Sequence, residues 1–489
     1  MATILGIDIG TSAVKLVLVD EAERVIAERD APLAVSRPRP SWSEQDPLDW
    51  WRAVGDLLDG LKRDEAAALA AVGAIGLSGQ MHGAVLLGDD DAPLRPAMLW
   101  NDGRAAAEAR ALRASHPHLP AVVGVLPMAG FTGPKIPWLA AHEPDVLARL
   151  RTVMMPKDYV RLLLTGEKAT DMSDAAGTWW LDEARREWSA EAAEATRLPK
   201  SALPRLLESP QPAGALLPEL AARWGMGRGV VVAAGAGDAA AGAIGIGSVA
   251  DGDAFLSLGT SGQLFVTTSH YRPAPETAVH AFAHALPGLW FQMGAMLNGA
   301  SCLAFAAGLM RAEIETLLAE AERGFAGPSR LIFLPYLTGE RTPHDDPHAR
   351  GVLFGLTPDT TRAEVMQAVL EGVAFSFADA RDALAASGTR IGRAAVIGGG
   401  ARSAFWMRIL ASVLGVTLAR YQGGAKGPAF GAARLGRLAL TGEDPARLCA
   451  KPAILDETAP DPALHAAYAP RLDAYRRLYA ALHPEFRAG

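Results

Sequence analysis

The chain is 489 residues long, more than one ordinary domain of ~100–200 residues accommodates, so two large lobes or three smaller domains are expected. With 50% apolar and 21% charged residues it can bury a sizeable core, and 47 basic against 54 acidic residues leave a net charge of −7, which offers neither nucleic acid nor an anionic membrane a basic surface. Two cysteines, Cys302 and Cys449, exclude both a disulfide framework and a cysteine-based zinc site.

The N-terminus reads at once as a strand, with no basic or long apolar leader, so a cytoplasmic protein is expected. Residues 4–8 form an apolar run that halts at Gly10-Thr11-Ser12 and resumes over 13–20, which reads as a hairpin. Helices are expected over 50–61 and 105–114, and strands over 71–76, 84–87 and 230–234. The most apolar stretch, 230–250, is rich in Ala and Gly and broken by Asp238, a poor membrane span. Residues 255–258 then lead into Gly259-Thr260-Ser261 and a second β run over 263–268, the same hairpin again. Gly10 and Gly259 lie 249 positions apart, about half the chain, so the simplest account is two related lobes. Helices follow over 300–310, 311–321, 361–385 and 404–413, with a strand over 394–397 and a docked helix over 462–482. Segments 37–40, 209–214 and 423–428, rich in Pro and Gly, read as connectors or site loops, and the lobe boundary falls within 245–253. The whole is mixed α/β.

No glycine-rich P-loop ending in Gly-Lys-Ser/Thr occurs. Residues 235–240, Gly-Ala-Gly-Asp-Ala-Ala, follow a β run and resemble a dinucleotide-binding turn, but they sit in mid-chain and would aim an acid at the pyrophosphate. An NAD-dependent oxidoreductase is therefore the weaker reading. Gly398-Gly399-Gly400-Ala401 reads either as a plain tight turn or as backbone passing close under a flat or phosphorylated group. Asp8 ends an apolar strand and Asp238 follows another, at the strand edges where α/β sheets gather ligands. Two such carboxylates with two Gly-Thr-Ser hairpins are the equipment of phosphoryl transfer without a P-loop. Gly10, Thr11 and Ser12 with Gly259, Thr260 and Ser261 would hold phosphates, one carboxylate would serve Mg²⁺ and another would take a proton. Ser78-Gly79-Gln80-Met81-His82-Gly83 places polar groups at a strand end, suited to a hydroxylated ligand. Trp100-Asn101-Asp102-Gly103-Arg104 reads equally as a sugar site and as an Asp102 cap with a salt-bridging Arg104.

The segments GIDIGTSAVKLVLVD (6–20), GLSGQMHGAVLL (76–87), LRPAMLWNDGR (94–104), GAGDAAAGAIG (235–245), LSLGTSG (256–262), FLPYLTGERTPH (333–344) and IGGGARSAFW (397–406) resemble the FGGY carbohydrate kinases from end to end. The resemblance implies two ribonuclease H-like lobes of the actin/hexokinase ATPase type, 1–247 on the sugar side and 248–489 on the nucleotide side, with ATP and sugar in the cleft between them. It implies Asp238 as catalytic base and Asp8 as the acid supporting Mg²⁺ and the transferring phosphate, the metal lying beside both carboxylates. Met81 and His82 would be the sugar-contacting pair, with Trp100, Asn101, Asp102 and Arg104 on the same side, and Gly399, Gly400 and Ala401 the adenosine-side loop. The SGQMHG and WNDGR segments imply D-xylulose as the sugar, with a related ketopentose or polyol as the alternative. A non-enzymatic actin-like ATPase would have no use for them. A homodimer is expected at the level of the family only. At one position the chain departs from the pattern: many members carry an amide directly after the catalytic Asp, where this chain has Ala239. One lost hydrogen bond costs ~0.5–1.5 kcal/mol.

Overall fold

The structure is a computed structural model that describes residues 2–422 and 426–487, so 423–425 of the expected 423–428 loop lie outside the described residues. Apolar runs bounded by small turn residues form buried strands, and these assemble into two seven-stranded sheets. In the first, β1 (Thr3–Ile9) and β2 (Ala13–Val19) pair antiparallel across Gly10–Ser12, and β3 (Val25–Pro32) continues outside β2. On the other side β4 (Val72–Gly79) runs parallel to β1, β5 (Pro212–Ala215) lies at the edge, and β6 (Val231–Ala233) sits between β4 and β5. The second sheet repeats the plan. A hairpin of β7 (Ala254–Leu258) and β8 (Gly262–Thr268) is extended through β9 (His280–Ala283) and β10 (Trp290–Met296), with β10 beside β8. Across the hairpin β11 (Arg393–Ile397) and β12 (Thr417–Tyr421) run parallel to β7, and β13 (Ile454–Thr458) closes the edge. The duplication read from the two Gly-Thr-Ser turns is therefore present in strand order as well.

Segment 209–214 does not stay a connector throughout, because Pro212 opens edge strand β5. Proline is tolerated there since an edge position requires no N–H on its outer side.

Helix α1 (Pro47–Asp64) buries Trp50, Val54, Leu58 and Leu61 at helical spacing. Its start is fixed by Asp46, which accepts the Leu48 N–H, and by Pro47 in the first turn. α2 (Asp238–Ile246) leaves the two-residue strand Ala236–Gly237, which pairs parallel with β4. α3 (Arg362–Ala386) opens on a capping box of Thr361 and Glu364 and runs buried through the second half. After α4 (Pro428–Thr441), α5 (Pro462–Phe486) ends the described chain and docks through Tyr468, Leu472 and Tyr475. Among the described residues no helix is long and apolar enough to cross a membrane.

Helix α4 belongs by sequence to the second half but lies on the first sheet. Its approach is so close that a Cβ added at Gly6 of β1 would meet the Ala429 carbonyl oxygen at 1.9 Å, and one at Gly76 of β4 the Ala432 oxygen at 1.7 Å. On its other face a Cβ at Gly431 would meet the Ala241 oxygen of α2 at 1.8 Å. Arg434 adds a paired contact, its guanidinium on the Glu23 carboxylate at 2.7 and 2.8 Å and on the Ile244 carbonyl at 2.9 Å. A division near residue 248 thus separates the two sheets, while α4 crosses back over it.

Backbone cannot swing away as a side chain can, so Gly76→Ala is expected to lower stability by at least ~3 kcal/mol in urea unfolding. The control is Gly227→Ala, where nothing lies within 4 Å of the added carbon and the expected change is under ~0.5 kcal/mol. Equal midpoints for the two variants would refute the close-packing account.

Candidate active site

Strand β4 brings the two acids together. Asp8 of β1 lies opposite Ser78 of β4, and Ala236, two residues before Asp238, lies opposite the same Ser78 from the other side. The Ser78 hydroxyl donates to Asp8 at 2.7 Å. The chain reaches Asp238 through Gly235 at φ +83°, where a Cβ would sit 2.3 Å from the Leu77 carbonyl oxygen, so only glycine serves. Asp238 is the first residue of α2 and accepts the Ala239 N–H at 2.7 Å. Burial, and after it the charge of Asp8, push its carboxyl up to about 7, against the pull of that N–H. Asp8 is itself raised by burial, opposed by Ser78 and by the charge of Lys15.

Sequence reasoning missed the support beneath this pair. Lys157 is wholly buried among Asp158 at 2.5 Å, Asp171 at 2.8 Å and Asp174 at 3.1 Å. Asp171 fixes the hydroxyls of Ser173 (2.6 Å) and Ser209 (2.7 Å), and the Ser173 oxygen accepts the Gly237 N–H at 3.1 Å, one residue before Asp238. Nothing in spacing alone marks these residues, since they meet only after three elements pack.

The two hairpin turns are open on one side. The N–H groups of Thr11, Ser12, Thr260 and Ser261 make no hydrogen bond among the described residues, while the Gly259 and Thr260 carbonyls accept from Ala300 (2.8 Å) and Gly299 (3.0 Å). The hydroxyl of Thr11 is already engaged, donating to Gln80 at 2.9 Å and accepting from the Trp100 indole at 3.0 Å. Its backbone N–H, like that of Ser12, remains free for an anion. In the second half Gly398 takes φ +94° under the Leu258 carbonyl, and Gly400 is covered by Trp406. Gly399 faces open space, a cavity of about 610 Å³ bounded by Gly399, Ala401, Ile246, Tyr421 and Lys426. That volume suits a nucleoside.

Met81 packs on Gly237, and His82 follows it at φ +68°. The His82 carbonyl is pinned by the ammonium of Lys135 at 2.8 Å, which also donates to the Met98 and Leu99 carbonyls at 3.0 and 2.9 Å. Burial drives Lys135 down to about 7. His82 Nδ1 lies 2.7 Å from the Gly177 carbonyl, so this nitrogen donates, and burial holds the ring neutral by lowering its pKa to about 3. Nε2 is then an acceptor. Trp100 is partly exposed and Asn101 exposed. Asp102 and Arg104 correct the expectation of a ligand contact: their side chains are 0% and 1% exposed and hold each other at 2.7 Å. Asp102 further accepts the Ser43 N–H at 2.7 Å, and Arg104 reaches Glu44 at 2.7 Å with its guanidinium 3.5 Å from the Trp42 ring. The fold takes the salt-bridged alternative.

A carboxyl held above its ordinary value costs stability once the unfolded chain would ionise it. The penalty from Asp238 is absent below about pH 4 and complete above about pH 7. In metal-free buffer Asp238→Asn should therefore be more stable than the parent at pH 8, by ~1–3 kcal/mol, and equal to it near pH 4. Thermal unfolding at the two pH values checks this, and a variant less stable at pH 8 would contradict it.

The domain described as the N-terminal domain of the FGGY family of carbohydrate kinases matches residues 3–245, and the C-terminal domain of the same family matches 254–440. The chain is 46% identical to an Escherichia coli K12 protein described as a xylulose kinase, over 98% of this chain and 99% of that one. Among solved structures it is similar to a Brucella ovis xyloylose kinase (47% identity, TM-score 0.96, 99% of each chain). It is similar also to a Rhodospirillum rubrum xylulose kinase (31% identity, TM-score 0.92, 99% of this chain and 100% of that one). With both family domains matched in order across two sheets that each open on a Gly-Thr-Ser hairpin, the chain belongs to the FGGY family of carbohydrate kinases.

Proposed function

We propose that this protein transfers the γ-phosphoryl group of ATP to the terminal hydroxyl of D-xylulose. The observation that carries the chemistry is the pair Asp8 and Asp238, neighbours across β4 with a raised Asp238 carboxyl, in a chain that matches xylulose kinases over nearly its full length. A base near 7 is partly ionised at neutral pH and strong enough to accept a proton as the hydroxyl attacks. In the step, the sugar oxygen bonds to the γ-phosphorus and the bond from phosphorus to the bridging oxygen breaks. ADP leaves with the electron pair, and the hydroxyl proton passes to Asp238.

The free N–H groups of Thr11, Ser12, Thr260 and Ser261 receive the phosphoryl oxygens from both sides, the adenosine occupies the cavity beside Gly399 and Ala401, and Met81 and His82 meet the sugar. Gly10, Gly259 and Gly400 shape the turns that allow this approach. Among the described residues no cluster of three or more His, Cys, Asp or Glu could hold a metal. Two carboxylates are nonetheless what Mg²⁺ requires when phosphates and water complete its shell, so Asp8 and Asp238 fit the ion. Bound there, Mg²⁺ would neutralise charge on the phosphates.

The experiment is ADP release with D-xylulose, L-xylulose, D-ribulose, L-ribulose and glycerol. D-xylulose is expected to give the highest kcat/KM by at least tenfold. A different sugar ahead by that margin would overturn the substrate assignment, and no sugar-dependent ADP release would overturn the kinase reading.

A further inference from the structure

Arg341 lies on the segment 339–346 of the second half and is anchored there by both neighbours. Glu340 accepts the N–H of Leu297 at 2.7 Å and of Arg341 at 2.8 Å, and the Thr342 hydroxyl donates to Ala278 at 2.9 Å while accepting the Ala295 N–H at 3.0 Å. From that base the side chain points across to the first half. Its Cζ lies 5.4 Å from the centre of the Trp100 ring, and its charge adds to burial, the larger cause, in lowering the pKa of both His82 and His280. The same segment is tied to the first half by Asp345, which accepts from Arg113 at 3.0 Å.

Among the described residues the Arg341 guanidinium makes no hydrogen bond and no ion pair, although burial is deep enough to lower its pKa. The charges of Glu340 and Asp345 oppose that lowering, but neither carboxylate pairs with the guanidinium: Glu340 accepts backbone N–H groups and Asp345 pairs with Arg113. The guanidinium is only partly exposed and has no partner among the described residues, so its donors are free for a ligand in the cleft.

The chemistry of the sugar says what that ligand atom is. A 2-ketopentose closes its five-membered ring through the terminal hydroxyl, so that hydroxyl is free to attack only in the open-chain form, and the bound sugar then carries a bare carbonyl. A carbonyl accepts and cannot donate. Asp238 and Asp8 in the ionised form that the reaction uses, and the Nε2 of neutral His82, are acceptors, and Ala239 has no polar side chain. Arg341 has donors only.

We propose that Arg341 is a substrate-binding residue that donates to the keto oxygen of the open-chain sugar from across the cleft, and so selects a ketose over the corresponding polyol. The inference rests on the sugar-kinase reading above. Binding of the ketose then joins Arg341 on one half to His82 and Trp100 on the other.

The test compares the full-length parent with Arg341→Met and Arg341→Lys, reading KM for D-xylulose, KM for ATP and the inhibition constant of xylitol, which has the hydroxyls without the carbonyl. Arg341→Met is expected to raise the D-xylulose KM at least tenfold, to leave the ATP KM within twofold, and to weaken xylitol less than threefold. Arg341→Lys, which keeps a charged donor, recovers part of the loss. It also supplies the reading if the methionine variant fails to fold. Equal losses for ketose and polyol, or a rise in ATP KM with sugar KM unchanged, overturn the inference alone. Absence of D-xylulose turnover by the parent protein overturns the sugar reading and this inference with it.

Discussion

Where α4 crosses the first sheet, helix backbone rests on strand backbone with no side chain between them at Gly6 and Gly76, and at Gly431 it rests on the backbone of α2. Because α4 also lies on α2, the same contact sets where Asp238 stands relative to Asp8. Loose side-chain packing would let the two acids drift, whereas backbone contact fixes them to within the tolerance of a hydrogen bond. The cavity beside Gly399 inherits this position too, since Gly245 and Ile246 of α2 line it.

The cost of this arrangement is concentrated in the charged groups of the site. Asp238 sits half-buried near another carboxylate at the end of a sheet, and His82 is held neutral in a left-handed backbone conformation. Such local violations persist only when the surroundings over-determine them. Two buried lysines do so here. Lys157 gathers three aspartates and, through Ser173, fixes the turn into Asp238. Lys135 gathers three carbonyls and fixes the His82 loop. Removing Lys157 would leave three buried carboxylates uncompensated, and removing Lys135 would leave three carbonyls without their donor.

Much of this was legible in the sequence because it is local. The two hairpins follow from apolar runs around Gly-Thr-Ser, and α1, α3 and α5 follow from caps and apolar spacing. Asp8 and Asp238 follow from acids at strand edges. What was not legible is what depends on distant segments meeting. Pro212 looked like loop because its role as an edge residue needs the neighbouring strand to be known. Asp102 and Arg104 looked like ligand contacts because the partners that enclose them, Ser43, Glu44 and Trp42, lie about 60 residues earlier. The return of α4 onto the first sheet left only a trail of glycines, whose purpose is plain once each is seen under a carbonyl.

The central claim is that Asp238 accepts the sugar's proton while other residues hold the substrates. Its most direct test is kcat for D-xylulose in Asp238→Asn, a change of one atom that keeps the shape of the site, with sugar affinity measured alongside. The account predicts that kcat falls ~10²–10⁴-fold while the dissociation constant for D-xylulose stays within about threefold. A variant that retains more than a tenth of the parent's kcat would contradict it.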